Sequence, residues 1–236
     1  MHGVFVTGTD TGVGKTVVAA ALVACLRRHG PAGYWKPVQT GVEQDDDTAT
    51  VRTLAGCADA EVWNRGVRLE RPLSPHLAAR LAGRVLSVDA VLADAPDDTS
   101  RTWVVEGAGG VLVPLNDTEA MSTLMVRLGF PVVVVARSTL GTINHSLLTL
   151  EALRNRGLRV AGVVMVGDNR RAVAMAEDLQ AHGFDVRAVR PPTVPEGTAR
   201  LRVSVNAGLS EAVLEACAAA MATAWERSAA ACTASS

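Results

Sequence analysis

A chain of 236 residues is long enough to bury one full core, and a formal charge of −1 with 3% aromatic residues argues against a nucleic-acid-binding surface. The four cysteines, Cys25, Cys57, Cys217 and Cys232, are scattered without a C-x-x-C pair, which indicates neither a disulfide framework nor a zinc site and suits reduced thiols in a cytoplasm. No apolar stretch approaches the ~20 residues of a membrane span, and a core strand starting almost at the first residue is expected to leave no place for a secretory leader.

The first element is a buried strand at residues 4–6, followed by Gly8-Thr9-Asp10-Thr11-Gly12-Val13-Gly14-Lys15-Thr16 and an apolar helix. Strand, glycine-rich turn and helix form the context of a phosphate loop. Gly12 and Gly14 let backbone N–H groups curl around an anion, and the helix N-terminus adds unpaired donors and the positive end of its dipole. Lys15 is then expected to reach the β- and γ-phosphates and the Thr16 hydroxyl to ligate Mg²⁺. Five residues separate Gly8 from Gly14, one more than the usual motif, whose first glycine position is occupied here by Thr9.

Of the 23 basic side chains two are lysines, Lys15 and Lys36, and the rest are arginines. Lys36 falls within or just after a second apolar strand, at residues 33–38, in Trp35-Lys36-Pro37-Val38-Gln39-Thr40-Gly41. An interior lysine must be paired or functional, and a bound nucleotide would pair it. In Asp45-Asp46-Asp47, two aspartates are read as a solvated helix N-terminus and one as a metal ligand. A third strand, 103–105, runs into Glu106-Gly107-Ala108-Gly109-Gly110, where a carboxylate closing a hydrophobic strand is positioned to hold magnesium. It is no dinucleotide fingerprint, because Leu112 occupies the sixth position of the G-x-G-x-x-G.

A fourth strand, 132–136, leads into Ser138-Thr139-Leu140-Gly141-Thr142-Ile143-Asn144-His145. The helix that begins there, 142–156, carries Ile143, Leu147, Leu150 and Leu153 as its apolar stripe and Gly157 as its stop. Its N-terminus suits a carboxylate or phosphate, while Asn144 and His145 read equally well as caps or solvated first-turn residues. Strands at 160–166 and, more weakly, 186–189 complete the series. Continuous β-branched runs mean strands buried on both faces. The fold expected is one α/β domain over residues 1–226, a doubly wound, mostly parallel sheet with helices on both faces, followed by a frayed tail at 227–236. Ligands should gather at the carboxyl ends of its strands.

Taken together, Val6 to Thr16, Lys36-Pro37-Val38-Gln39-Thr40-Gly41, Asp47, Ser74-Pro75-His76, Val105 to Gly110, and Gly141 to His145 with Leu148-Thr149 resemble the dethiobiotin synthetase family, in family order up to about residue 160. The five-residue spacing of the loop is that family's form. The resemblance implies a cytoplasmic homodimer of P-loop subunits that binds no nucleic acid or membrane. It implies a ligase that converts 7,8-diaminononanoate, CO₂ (or bicarbonate) and ATP into dethiobiotin, ADP and phosphate with Mg²⁺.

The resemblance also assigns residues. Gly12, Val13, Gly14, Lys15, Thr16 and Val17, with Glu106 and Gly109, would hold the nucleotide. Thr16, Asp47 and Glu106 would hold the metal, with Asp46 open as the alternative aspartate. Lys15 and Lys36 would be catalytic, with Lys36 between γ-phosphate and carbamate. Thr11, Lys36 and Thr40 would line the diamine site, and Gly141, Thr142 and Asn144 would receive the substrate carboxylate from the partner subunit. Val166-Gly167-Asp168-Asn169 departs from the family's adenine-reading Asn-Asp pair, leaving Asp168, Asn169 or the 191–197 loop as base contacts. Two other P-loop classes fit less well. A partitioning-type switch ATPase carries a signature lysine where this chain has Asp10, and a cobyrinic-acid-type amidoligase needs a glutaminase domain for which no chain remains.

Overall fold

The computed structural model describes residues 1–167, 169–189, 200–203, 212, 216–217, 219–221 and 223–224; the side chains of 169–174 and of 200, 202 and 203 are outside that description. In chain order the first half comprises β1 (His2–Gly8), α1 (Lys15–Leu26), β2 (Ala32–Trp35), β3 (Val38–Thr40), α2 (Asp47–Ala55), β4 (Val62–Trp63), β5 (Val67–Leu69), α3 (Pro75–Leu81) and α4 (Val88–Ala93). The second half comprises β6 (Thr102–Gly110), α5 (Met121–Leu128), β7 (Val132–Arg137), α6 (Thr142–Arg154), β8 (Val160–Val166), α7 (Asn169–Ala181), β9 (Val186–Val189) and β10 (Arg200–Val203).

Eight strands form one sheet in the order β4-β2-β6-β1-β7-β8-β10-β9, and every pairing from β4 to β8 is parallel. The expected α/β architecture is therefore present. Its departure is at one end, where β10 runs antiparallel to both β8 and β9. Successive residues of the central strands enter different cores. Phe5, Trp103, Val105, Val132 and Val134 join one cluster, with Leu124, Met125, Leu153 and Leu179 of the covering helices. Val6, Val104, Val133 and Val135 join the other, against Val18, Ala19 and Val23 of α1 and Val51 of α2. Each fully buried Val, Leu or Phe contributes about 1.5–3 kcal/mol of transfer free energy, so both faces of the sheet are strongly tied down.

Three sequence expectations are corrected. The strand at 33–38 is two strands, because Pro37 has no N–H to continue a ladder. The chain steps there from the main sheet into a separate parallel pair, β3 with β5. The freed carbonyls are taken up: Lys36 O accepts from Arg68 Nη1 at 2.8 Å and Pro37 O from the Val67 amide at 2.8 Å. The strand at 103–105 instead runs on to Gly110, since glycines permit a close approach to β1. A Cβ on Gly107 would stand 2.9 Å from the Phe5 ring, and one on Gly110 would stand 3.2 Å from Gly8 O. Third, the expected stripe of α6 holds only in part: Leu153 is buried and Leu150 packs against the core, but Leu147 faces out and the rest of the buried face is Thr142, Ser146 and Thr149. Leu147 and Leu148 point outward at 43% and 56% exposure. The helix ends at Arg154, ahead of Gly157 at φ 68°. The tail at 227–236 lies outside the described residues.

Candidate active site

The carboxyl ends of β1, β2 and β6 converge on one cleft of about 780 Å³. The loop after β1 needs left-handed backbone at Gly12 (φ 70°) and at Gly14 (φ 93°), the N-cap of α1, and no residue other than glycine has positive φ among the described residues. Lys15 is 7% exposed and donates to Asp10 O of its own loop at 3.0 Å. Burial, then the neighbouring Lys36 charge, bring its pKa down to about 8. Asp10 braces the loop from the other side. Its Oδ1 accepts from the Thr11 amide at 2.7 Å and its Oδ2 pairs with Arg137 at the end of β7.

Lys36 is 2% exposed and sits on the step between the two sheets. Its Nζ lies 2.5 Å from Asp47 Oδ2 and 2.8 Å from Glu106 Oε1, with Gly107 O at 3.3 Å. Burial alone would lower the lysine, but the Glu106 and Asp47 charges outweigh it and hold its pKa above the ordinary value. Burial would likewise raise Asp47, but the Lys36 charge and the hydrogen bonds from Lys36 and Thr16 prevail and hold it below the usual carboxylate range. The Thr16 hydroxyl closes the group, 2.7 Å from Asp47 Oδ1 and 3.1 Å from Glu106 Oε1. A buried cation is thus matched by two carboxylates from different elements, the arrangement that makes a buried charge tolerable.

Within this cleft the structure gathers Thr11, Gly12, Gly14, Lys15, Thr16, Val17, Lys36, Thr40, Asp47, Glu106 and Gly109. Val13 does not line it, and its side chain is in the core. Asp46 is separated from Asp47 by role: its carboxylate caps α2, accepting from the Thr48 and Ala49 amides at 2.9 and 3.1 Å. Gly141, Thr142 and Asn144 are not brought to the cleft of their own chain. Gly141 and Asn144 are exposed, and Thr142 is buried with its hydroxyl unpartnered. From the same helix His145, Leu148, Thr149 and Ala152 instead line a second cavity of about 420 Å³, which meets the cleft at Thr11 and Val113. Asp168, the Asn169 side chain and the 191–197 loop lie outside the described residues.

Sequence reasoning assigned no role to Tyr34, Gln39 or the 72–75 turn, which together with the residues above complete the site. Gln39, Pro72, Leu73, Ser74 and Pro75 line the cleft, and Gln39 Nε2 ties down the following loop through Asp45 O at 2.7 Å. Tyr34 donates from beneath to Glu106 Oε2 at 2.8 Å. Burial, then the Glu106 and Asp47 charges, hold that phenol well above its ordinary pKa, so it remains a donor. The available signal was a lone hydroxyl in an otherwise apolar strand.

The hydroxyl of Thr16 and the carboxylates of Asp47 and Glu106 form an all-oxygen set, the chemistry Mg²⁺ selects. Among the described residues no cluster of three or more His, Cys, Asp or Glu side chains is suited to a metal.

The AAA domain family model matches residues 2–193. An ATP-dependent dethiobiotin synthetase BioD of Bradyrhizobium sp. (strain BTAi1) is 48% identical over 84% of this chain and 90% of its own length. Its counterpart from Agrobacterium fabrum is 47% identical over 82% of this chain and 87% of its own. That of Paramagnetospirillum magneticum is 49% identical over 73% and 82%. The loop, the buried lysine with its two carboxylates and these relatives agree: the chain belongs to the ATP-dependent dethiobiotin synthetase family.

Proposed function

We propose that the chain is the ligase of biotin biosynthesis that joins CO₂ to the two amines of 7,8-diaminononanoate, using ATP, to form the ureido ring of dethiobiotin with release of ADP and phosphate. The observation that carries this reading is Lys36, buried between Asp47 and Glu106 on the floor of a cleft edged by the phosphate loop. A carbamate and a γ-phosphate are both anions, and a cation held between them lowers the cost of their approach.

In this reading the amides of Gly12 to Lys15 and the start of α1 hold the phosphates, and Lys15 leaves Asp10 O to reach the β- and γ-phosphates. Thr16, Asp47 and Glu106 would hold Mg²⁺, which would supply positive charge to neutralise the nucleotide phosphates. One substrate amine adds to CO₂ to give a carbamate. A carbamate oxygen attacks the γ-phosphorus, and ADP leaves. The second amine then attacks the carbamate carbon, closing the ring as phosphate departs. Lys36 lies between carbamate and γ-phosphate, kept protonated by its two carboxylates, so the work of the chain is orientation and charge neutralisation. The hydroxyls of Thr11 and Thr40 line the diamine site.

Gly141, Thr142 and Asn144 receive the substrate carboxylate across a homodimer interface, a reading supported by their absence from the cleft of their own chain and by exposed Leu140, Leu147 and Leu148 beside them. The enzyme is assigned to the cytoplasm, and no described helix is long and apolar enough to cross a membrane. The test measures ADP release with ATP, Mg²⁺ and bicarbonate, with and without the diamine. Turnover should depend on the diamine and yield the ureido product by mass spectrometry; hydrolysis indifferent to the diamine, with no such product, would overturn the reading.

A further inference from the structure

Tyr34 is the one tyrosine in the chain and is fully buried. It stands on β2 opposite Val104 of β6. Side chains two residues apart on a strand share a face, so its ring is on the face that carries Glu106, and its hydroxyl reaches that carboxylate along the diagonal between neighbouring strands. In an apolar layer a phenylalanine would fill the same volume with no hydroxyl to satisfy. The hydroxyl goes to one particular atom. Oε2 of Glu106 receives Tyr34 at 2.8 Å, while Oε1 receives Lys36 at 2.8 Å and Thr16 at 3.1 Å. The two oxygens of one carboxylate therefore have separate duties, one facing the core and the other facing the cleft.

We propose that Tyr34 is a positioning residue, which occupies Oε2 so that Glu106 presents the single oxygen Oε1, at a fixed place, to the nucleotide-bound metal. This rests on the reading of Glu106 as a metal ligand. A glutamate has three side-chain torsions, and a partner on the oxygen away from the metal fixes the rotation of the carboxylate plane. Partners of this kind behind a metal ligand are typically worth about 10- to 100-fold in metal affinity.

The test uses the ADP complexes of the parent, Tyr34→Phe and Glu106→Gln, titrated with Mn²⁺ while free ion is followed by electron paramagnetic resonance. ADP affinity is measured separately without metal. Tyr34→Phe should weaken Mn²⁺ binding about 10-fold and leave metal-free ADP affinity unchanged. Mn²⁺ affinity within about 2-fold of the parent, against the loss expected of such a partner, overturns the proposal. So does an equal loss of ADP affinity, which would mean a loosened core. If Glu106→Gln binds Mn²⁺ like the parent, the metal-ligand reading falls and the proposal with it; if Glu106→Gln loses Mn²⁺ and Tyr34→Phe does not, only the positioning role falls. Should Tyr34→Phe fail to fold, the parent labelled with 3-fluorotyrosine supplies the readout, because one tyrosine gives one ¹⁹F resonance. That resonance should shift when Mg²⁺ is added to the ADP complex and stay still in Glu106→Gln. A resonance in the parent unmoved by Mg²⁺ overturns the proposal.

Discussion

The Lys36 ammonium opposes protonation of Lys15: after burial, it is the largest influence bringing Lys15 to about 8 from 10.5. Between these values the unfolded chain binds more protons than the folded one at this residue. The Lys15 contribution to stability therefore rises with pH through that window. Nucleotide phosphates act in the opposite sense, since they favour the charged lysine. Metal-free ADP binding should weaken as pH rises past about 8 and take up protons on binding, measurable by calorimetry in buffers of different ionisation enthalpy. Binding without proton uptake between about pH 7.5 and 9 would contradict this.

Lys36→Arg should lower kcat about 100-fold or more, the scale of losing one preorganised charge-stabilising donor, with little change in KM for ATP. The planar guanidinium does not fit where a point charge must meet two carboxylates and a carbonyl. Lys36→Met makes a different prediction. With Asp47 and Glu106 left facing each other uncompensated, stability should fall by about 3–5 kcal/mol, read from denaturant unfolding. Near-normal turnover in the arginine variant would make Lys36 structural.

Asp46 and Asp47 adjoin in sequence and should separate in function. Asp46→Ala removes a helix cap and should cost about 1 kcal/mol of stability with turnover retained. Asp47→Asn should raise the Mg²⁺ required for half-maximal activity by about 10-fold or more. A Mg²⁺ titration unchanged in the Asp47 variant would remove it from the metal site.

The outward leucines at and just before α6 test the homodimer. Leu140, ahead of the helix, is 92% exposed, and Leu148 on it is 56% exposed. The parent should sediment as a dimer at micromolar concentration, and Leu148→Asp should shift it to monomer while far-ultraviolet circular dichroism is preserved. A monomeric parent would contradict the reading.

The sheet was legible because valine-rich runs buried on both faces leave little alternative, and the span 160–166 coincides with β8. The loop was legible because Gly12 and Gly14 mark the backbone that a phosphate needs. Hydrophobic periodicity was only half right on α6, where Leu150 and Leu153 face the core but so do Thr142, Ser146 and Thr149, while Leu147 faces out. A helix with leucines on both faces cannot be oriented by apolar pattern alone. Partners across strands were equally hidden. Nothing local connects Tyr34 to Glu106, 72 residues away, and the choice between Asp46 and Asp47 depended on which one caps its helix.

The break at Lys36 and Pro37 has a mechanical consequence. Thr40 travels with the small sheet and Glu106 with the large one, and Lys36 is the joint between them, its carbonyl pinned by Arg68 and its ammonium by the carboxylates. Any tilt of the small sheet about this joint would change the gap between Thr40 and Glu106 across the cleft. The covalent step between the sheets and the charge shared by Asp47 and Glu106 are therefore one residue, so the spacing of the two sheets and the electrostatics of the cleft are set at the same point.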